Sequence, residues 1–186
     1  MKRYEALRIL AASVADDTIV VGNVGPISRE WNALRPSDAN LLQVNLGLCS
    51  AVGLGLARAL PHRKIVLLDG DGNLLMNLAS LADAANQAPP NIVHIVLDNG
   101  AYEGGGGLPS VTSLKTNLSE IARGAIIGDD FGVLKLLFNP TDHKLLRNNV
   151  TDEEVACKAE EKRLVVWRGV TNEPWQVKTR EMTADT

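Results

Sequence analysis

Residues 91–99, NIVHIVLDN, carry an almost unbroken run of β-branched and other apolar side chains. A strand with one wet face alternates apolar and polar residues; this one does not, so it reads as a strand buried on both faces of its sheet. KIVLLD at 64–69 repeats the pattern, and TIVVG at 18–22 and LLQV at 41–44 read as shorter strands. Helical periodicity lies between them. Tyr4, Leu7, Ile9, Leu10 and Val14 predict a helix over 2–15, and similar patterns recur at 28–34 and 48–60. Over 73–87, Leu74, Leu75, Leu78, Leu81 and Ala85 fall on one helical face. Strands alternating with helices predict parallel βαβ units with right-handed crossovers, hence a three-layer α/β domain with a mainly parallel central sheet. In such a sheet, ligands bind beyond the carboxyl ends of the strands.

The rest of the chain is read more coarsely. GAYEGGGGLPS at 100–110 predicts a loop with almost no intrinsic order, and 117–123 a helix. FGVLKLLF at 131–138 suits either strand or helix. TDEEVACKAEEKR at 151–163 predicts a capped helix and LVVWRGV at 164–170 a final strand. The domain is expected to span 1–171, with a polar tail over 172–186.

At 186 residues and 45% hydrophobic, the chain suits one domain with a sizeable core. Its net charge of −3, without a Lys/Arg run, gives little electrostatic support for binding nucleic acid or an anionic membrane. Cys49 and Cys157 form no CxxC or Cys/His cluster, which argues against a disulfide framework or structural zinc and for a reducing compartment. The first residues lack a signal-peptide core, and no apolar run approaches spanning length. A cytoplasmic protein is expected.

LLDGDGNLLM at 67–76 places two aspartates on a glycine-hinged corner between a strand and a helix. An Asp-Gly hairpin turn would need a strand to follow, but the helical pattern follows instead. A calcium loop would need Gly at its sixth position and Glu at its twelfth, where this chain has Leu74 and Ser80. The remaining reading is a corner for a phosphate and a metal. Glycines let the backbone approach a ligand, the helix start offers free N–H groups, and Asp71 suits a phosphate-bound Mg²⁺. Asn99, one strand onward, supplies a second hard oxygen. Asp69 is expected to end the strand and support the corner.

GDG at 70–72 followed by DN at 98–99 resembles the GDG…NN signature of thiamin-diphosphate enzymes, with Asp98 in place of the first Asn. NVG at 23–25, SRE at 28–30, NLGLCSAVGLGLARALP at 45–61 and NIVHIVLDNGAYEGGGG at 91–107 extend the likeness in order. Together they resemble the diphosphate-binding half of sulfopyruvate and phosphonopyruvate decarboxylases, over roughly residues 3–125. The resemblance implies the thiamin-diphosphate-binding fold. It implies Mg²⁺ ligands in the Asp71 carboxylate, the Asn99 side-chain oxygen and the Ala101 carbonyl. It implies diphosphate contacts at Gly70, Gly72 and Asn73, with Gly25 and Ser28 as further candidates, and places Tyr102 beside the cofactor. It also implies that Leu46 props the cofactor in a folded shape and that the Val44 carbonyl accepts from its 4′-amino group. Leu46 taken alone reads equally well as core. GLGLAR at 53–58 lacks the third glycine of a dinucleotide fingerprint and reads as a close-packed helix face. His94, inside an apolar strand, reads as a satisfied core histidine.

In these enzymes the glutamate that activates the cofactor comes from a separate pyrimidine-binding domain, and no part of this chain resembles one. The resemblance therefore implies a β-type subunit, active only with an α-type partner, as in an α2β2 assembly. The implied reaction releases CO2 and an aldehyde from a small 2-oxo acid, either 3-sulfopyruvate or phosphonopyruvate. Relatives commonly read YESTGGQP where residues 102–109 read YEGGGGLP, so two hydroxyl donors and an amide are absent here. Alternatives are half of an acetolactate-synthase-like carboligase, the β chain of a 2-oxo acid:ferredoxin oxidoreductase, and a regulatory subunit that keeps only the fold.

Overall fold

The computed structural model describes residues 3–125 and the backbone of 132–137 and 162–169. Helix α1 (Arg3–Ser13) buries Ala6, Leu7, Ile9 and Leu10, one stripe at helical spacing. It leads into β1 (Ile19–Asn23), α2 (Pro26–Leu34), β2 (Asn40–Val44), α3 (Cys49–Ala59) and β3 (Ile65–Gly70). The chain continues through α4 (Asp71–Leu75), α5 (Ala79–Gln87), β4 (Ile92–Leu97), two short strands β5 (Ala101–Tyr102) and β6 (Leu108–Pro109), and α6 (Leu118–Gly124). Strands β7 (Gly132–Leu137) and β8 (Lys162–Gly169) complete a six-stranded sheet ordered β2-β1-β3-β4-β8-β7, with every neighbouring pair parallel.

The unbroken apolar runs are explained by cover on both faces. Val20, Val66, Leu68, Ile95 and Leu97 pack with Leu7, Leu10, Ile27 and Trp31 of α1 and α2. Val21, Ile65 and Leu67 face the other way, onto Cys49 and Ala57 of α3. Adjacent strand residues thus enter opposite layers, and each must be apolar. Trp31, fully buried, satisfies its indole N–H on Asn40 Oδ1 at 3.1 Å. Gly53 lies in the middle of α3, where a Cβ would fall 2.0 Å from Leu67 Cδ2. Gly53 therefore lets α3 pack closely on β3, so GLGLAR serves helix packing, as its missing third glycine suggested.

The sheet order reverses at β1, whose neighbours are β2 on one side and β3 on the other. Successive crossovers leave that point in opposite directions, which opens a crevice at the carboxyl ends of β1 and β3. The NVG segment and the GDG corner lie there.

Three expectations need correction. The single helix over 73–87 is broken: α4 ends at Leu75 and α5 starts at Ala79. At the break the backbone bonds tighten to three-residue spacing, Asn77 N to Leu74 O (3.0 Å) and Ser80 N to Asn77 O (3.1 Å). Ser80 Oγ also donates to Asn77 O (2.7 Å), while Asn77 Nδ2 donates away to Gly47 O (2.9 Å). Such side-chain bonds compete with the helical ladder. The glycine-rich stretch is also not structureless: Ala101 pairs with Pro109 and Tyr102 with Leu108 as an antiparallel hairpin around a 3₁₀ turn, Glu103–Gly105. Gly106 and Gly107 close it at φ 83° and 78°, a region L side chains rarely adopt. Finally, β8 begins at Lys162, so the last two residues of the helix expected over 151–163 are strand. The remainder of that helix, and the tail from 172, lie outside the described residues. The ambiguous 131–138 segment contributes strand β7.

Candidate active site

The strand-end crevice is a cleft of about 680 Å³ lined from the ends of β1, β3 and β4 and by the hairpin. At its base the polypeptide turns from β3 into α4 through Asp69, Gly70 and Asp71. Asp69 is fully buried and accepts from Gly70 N (2.8 Å), Asn73 Nδ2 and His94 Nε2 (3.0 Å). It braces the corner, and His94 is the satisfied core histidine that the sequence predicted.

Asn73 lines the cleft, but its side chain is committed inside the protein. Its amide N–H goes to Asp69, and its oxygen accepts from Gly47 N at 2.8 Å. With Asn77 holding Gly47 O, the loop between β2 and α3 is fixed at both backbone polar groups of one residue. That loop presents Leu46, which is 54% exposed and lines the cleft. The core reading of Leu46 is thereby excluded. A leucine held rigidly in an open cleft gains nothing from burial within its own chain, and it offers an apolar support to whatever enters.

Asp71 is 2% exposed. Its Oδ2 accepts from Ser110 Oγ (2.5 Å) and Thr112 Oγ1 (3.1 Å), and Thr112 Oγ1 also reaches Asp98 Oδ1 at 2.7 Å. Burial raises the Asp71 carboxyl from 3.8 to about 6, with the Asp98 charge adding to the shift; hydrogen bonds from Ser110, Thr112 and Gly72 N partly oppose it. Because the folded value exceeds the unfolded one, the bound proton stabilises the fold. That contribution is complete below the unfolded value of 3.8 and is lost as pH rises through about 6. The metal-free chain is therefore expected to lose on the order of 2–3 kcal/mol from this group between about pH 4 and about pH 7. Urea unfolding at the two pH values measures it. Asp71→Asn should flatten the slope, and an unchanged slope would contradict the assignment.

Asn99 donates Nδ2–H to Glu103 Oε1 (2.9 Å) and accepts Ala101 N–H on Oδ1 (3.0 Å). Asp71, Asn99 and Ala101 all line the cleft, as do Gly70 and Gly72. Tyr102 packs against Gly72, where a Cβ would fall 2.5 Å from Tyr102 Cδ1. Gly25 borders the cleft at φ 123°, with its N–H donated to Gln43 Oε1 (3.1 Å). Two expected residues lie away from it. Ser28 is fully buried, donating Oγ–H to Asn23 O (2.6 Å) and accepting from Gln43 N (3.1 Å). Val44 lies off the cleft wall, and its carbonyl already accepts Val24 N–H at 2.7 Å.

Sequence reasoning missed Ser110 and Thr112. Their signal, two hydroxyls around one residue after a glycine run, is common in turns and says nothing of a carboxylate some forty positions away. It also missed Asn23, 7% exposed on the cleft, whose Oδ1 has no hydrogen-bond partner among the described residues. A buried orphan acceptor is costly unless a ligand completes it. Among the described residues no three His, Cys, Asp or Glu side chains form a metal-ligand cluster. A cation here would meet one carboxylate plus neutral oxygens, a set that fits Mg²⁺ shared with phosphate and does not fit zinc. No helix among the described residues is long and apolar enough to cross a membrane.

Sequence comparison converges on the same corner. Residues 29–128 match the family described as thiamine pyrophosphate enzyme, C-terminal TPP binding domain. The chain is 36% identical over 124 residues to sulfopyruvate decarboxylase subunit beta of Methanocaldococcus jannaschii, covering 66% of this chain and 65% of the relative. It is 42% identical over 112 residues to phosphonopyruvate decarboxylase of Streptomyces viridochromogenes, covering 60% of this chain and 28% of that one. The matched stretch thus spans less than two thirds of either relative. Among solved structures, benzoylformate decarboxylase from Polynucleobacter necessarius superposes with a TM-score of 0.61 over 93% of this chain and 34% of that one, at 15% identity, a likeness of fold. The doubly covered parallel sheet, the GDG corner at its switch point and the family match make this chain a member of the thiamin-diphosphate enzyme family, carrying its C-terminal-type cofactor-binding domain.

Proposed function

We propose that this chain is the β-type subunit of a split thiamin-diphosphate-dependent 2-oxo acid decarboxylase, holding the Mg²⁺-diphosphate end of the cofactor. The observation that carries the reading is the buried Asp71 carboxylate facing one cleft with Asn99 and Ala101. Asp71, the Asn99 amide oxygen and the Ala101 carbonyl would bind Mg²⁺, and phosphate oxygens would complete a hard-oxygen shell. The Gly70 and Gly72 backbone would bring the chain close to the diphosphate, and Leu46 would give the cofactor an apolar support. Asn23 offers its orphan Oδ1 as an acceptor to a donor group of the bound molecule. When bound, thiamin diphosphate supplies the electron sink for the pair released as CO2 leaves the substrate.

The protein's own part is positional and electrostatic. It fixes the diphosphate, shapes the bound conformation through Leu46, and keeps the reacting region in an apolar cleft. Activation would come from a glutamate of a pyrimidine-binding α-type partner, in an assembly such as α2β2. Arg29, exposed on α2 and lining the cleft, carries no ion pair among the described residues, so it is available to an anionic substrate tail. That suits 3-sulfopyruvate or phosphonopyruvate. The names of the relatives point the same way. Retention of Asp71 and Asn99 together weighs against a regulatory subunit that keeps only the fold.

The test is co-expression with a pyrimidine-domain chain encoded beside it, then assay of a panel of 2-oxo acids with thiamin diphosphate and Mg²⁺. Sulfoacetaldehyde or phosphonoacetaldehyde is the expected product. A carbon–carbon coupling product would instead identify a carboligase half, and no turnover with any 2-oxo acid would count against the proposal.

A further inference from the structure

Arg3, near the start of the described chain, reaches across to the hairpin. Its Nε and Nη2 donate to the two carboxylate oxygens of Glu30 on α2, at 2.9 and 2.7 Å. Its Nη1 donates to Glu103 Oε2 at 2.6 Å. The other oxygen of Glu103 accepts Asn99 Nδ2–H at 2.9 Å. The chain Glu30–Arg3–Glu103–Asn99 thus runs from the first two helices to a residue that the proposed function makes a metal ligand. Arg3, Glu30 and Glu103 side chains are 18, 25 and 26% exposed, so the pairs are partly shielded from solvent.

We propose that Glu103, held by Arg3, is a positioning residue that fixes the Asn99 amide with its oxygen available to the cation. The proposal rests on the metal reading above. The two ends of an asparagine amide are nearly identical in shape but opposite in chemistry. Rotated by half a turn, Asn99 would present an N–H₂ group to a cation. Glu103 can only accept, so it captures the N–H₂ end; Ala101 N–H can only donate, so it captures the oxygen. That oxygen keeps a second lone pair for a metal. Glu103 stands on the 3₁₀ turn beside Gly104 and Gly105, around which a Cβ would meet little or nothing, so packing alone does not hold it. Arg3 supplies the restraint, and its bidentate grip on Glu30 makes Arg3 itself rigid. Partners that orient metal ligands in this way commonly influence metal affinity.

The test is Mn²⁺ binding to the chain assembled with its partner, in the presence of thiamin diphosphate, with free Mn²⁺ counted by electron paramagnetic resonance and melting temperature measured in parallel. Glu103→Ala is expected to weaken Mn²⁺ binding by about 10–100-fold. Glu103→Gln has one amide oxygen, for which Arg3 and Asn99 compete, so it should recover only part of the loss, and Arg3→Met should fall between Glu103→Ala and the wild type. A merely structural role would lower the melting temperature and leave Mn²⁺ affinity alone. Asn99→Asp provides a second route: it removes the N–H₂ donor, and adding Glu103→Gln restores a donor on the opposite side, so the double variant should bind Mn²⁺ more tightly than Asn99→Asp alone. Wild-type affinity in Glu103→Ala, or no recovery in that double variant, would overturn the proposal provided that Asp71→Ala abolishes binding. If Asp71→Ala also binds normally, the metal assignment itself fails.

Discussion

Asp71→Ala is expected to abolish retention of thiamin diphosphate with Mg²⁺ by the assembled enzyme and, with it, turnover. Asp71 is the carboxylate at the base of the cleft, and the remaining candidate ligands, Asn99 and Ala101, offer only neutral oxygens. Losing an outer-shell partner alone costs about 10–100-fold in metal affinity, and loss of the charged ligand should exceed the upper figure. Folding should survive. Removing the carboxylate relieves a group that burial and Asp98 oppose, leaving Ser110 and Thr112 able to bond elsewhere, the latter to Asp98. Equilibrium dialysis of cofactor and metal, beside an unfolding curve, separates the two effects. Binding that persists in Asp71→Ala would remove the central ligand from the account.

The second large effect is at Leu46. Leu46→Ala should lower kcat by about 100-fold, the penalty when a reacting group is displaced by about 1 Å, and should change cofactor affinity much less. The reason lies in the structure around it. Asn73 and Asn77 fix both polar ends of Gly47, so the loop backbone stays put while its neighbour loses the apolar support. Since Leu46 is 54% exposed, its truncation opens no core cavity, and stability should change little. Steady-state kinetics with a separate cofactor titration checks the split. Equal losses in kcat and in cofactor affinity would make Leu46 a binding contact and not a shaping one.

Much of the fold was legible because each signal was local. The run at 91–99 announced β4, and its lack of alternation announced cover on both faces, which Leu97 and Val96 realise by entering opposite layers. The GDG corner was legible because glycine, aspartate and a strand end coincide within a few residues. What escaped was set by distance in the chain. Ser110 and Thr112 reach Asp71 only because the hairpin folds back, and Arg3 meets Glu103 from a hundred positions away. The direction of Ser28 escaped as well, because a serine beside a strand-end glycine can turn to a ligand or to its own backbone. Here the Asn23 carbonyl and Gln43 amide take it. The break between α4 and α5 accompanies a bond from Asn77 to Gly47, thirty positions back, which periodicity cannot register.

The family assignment leaves the division of labour as the central claim: this chain anchors the cofactor and a partner activates it. The most direct measurement is CO2 release from 3-sulfopyruvate by the chain alone, by the pyrimidine-domain partner alone, and by the two mixed, each with and without thiamin diphosphate and Mg²⁺. Release is expected only from the mixture with both additions. Release by this chain alone, or by the mixture at the same rate without cofactor, would contradict it.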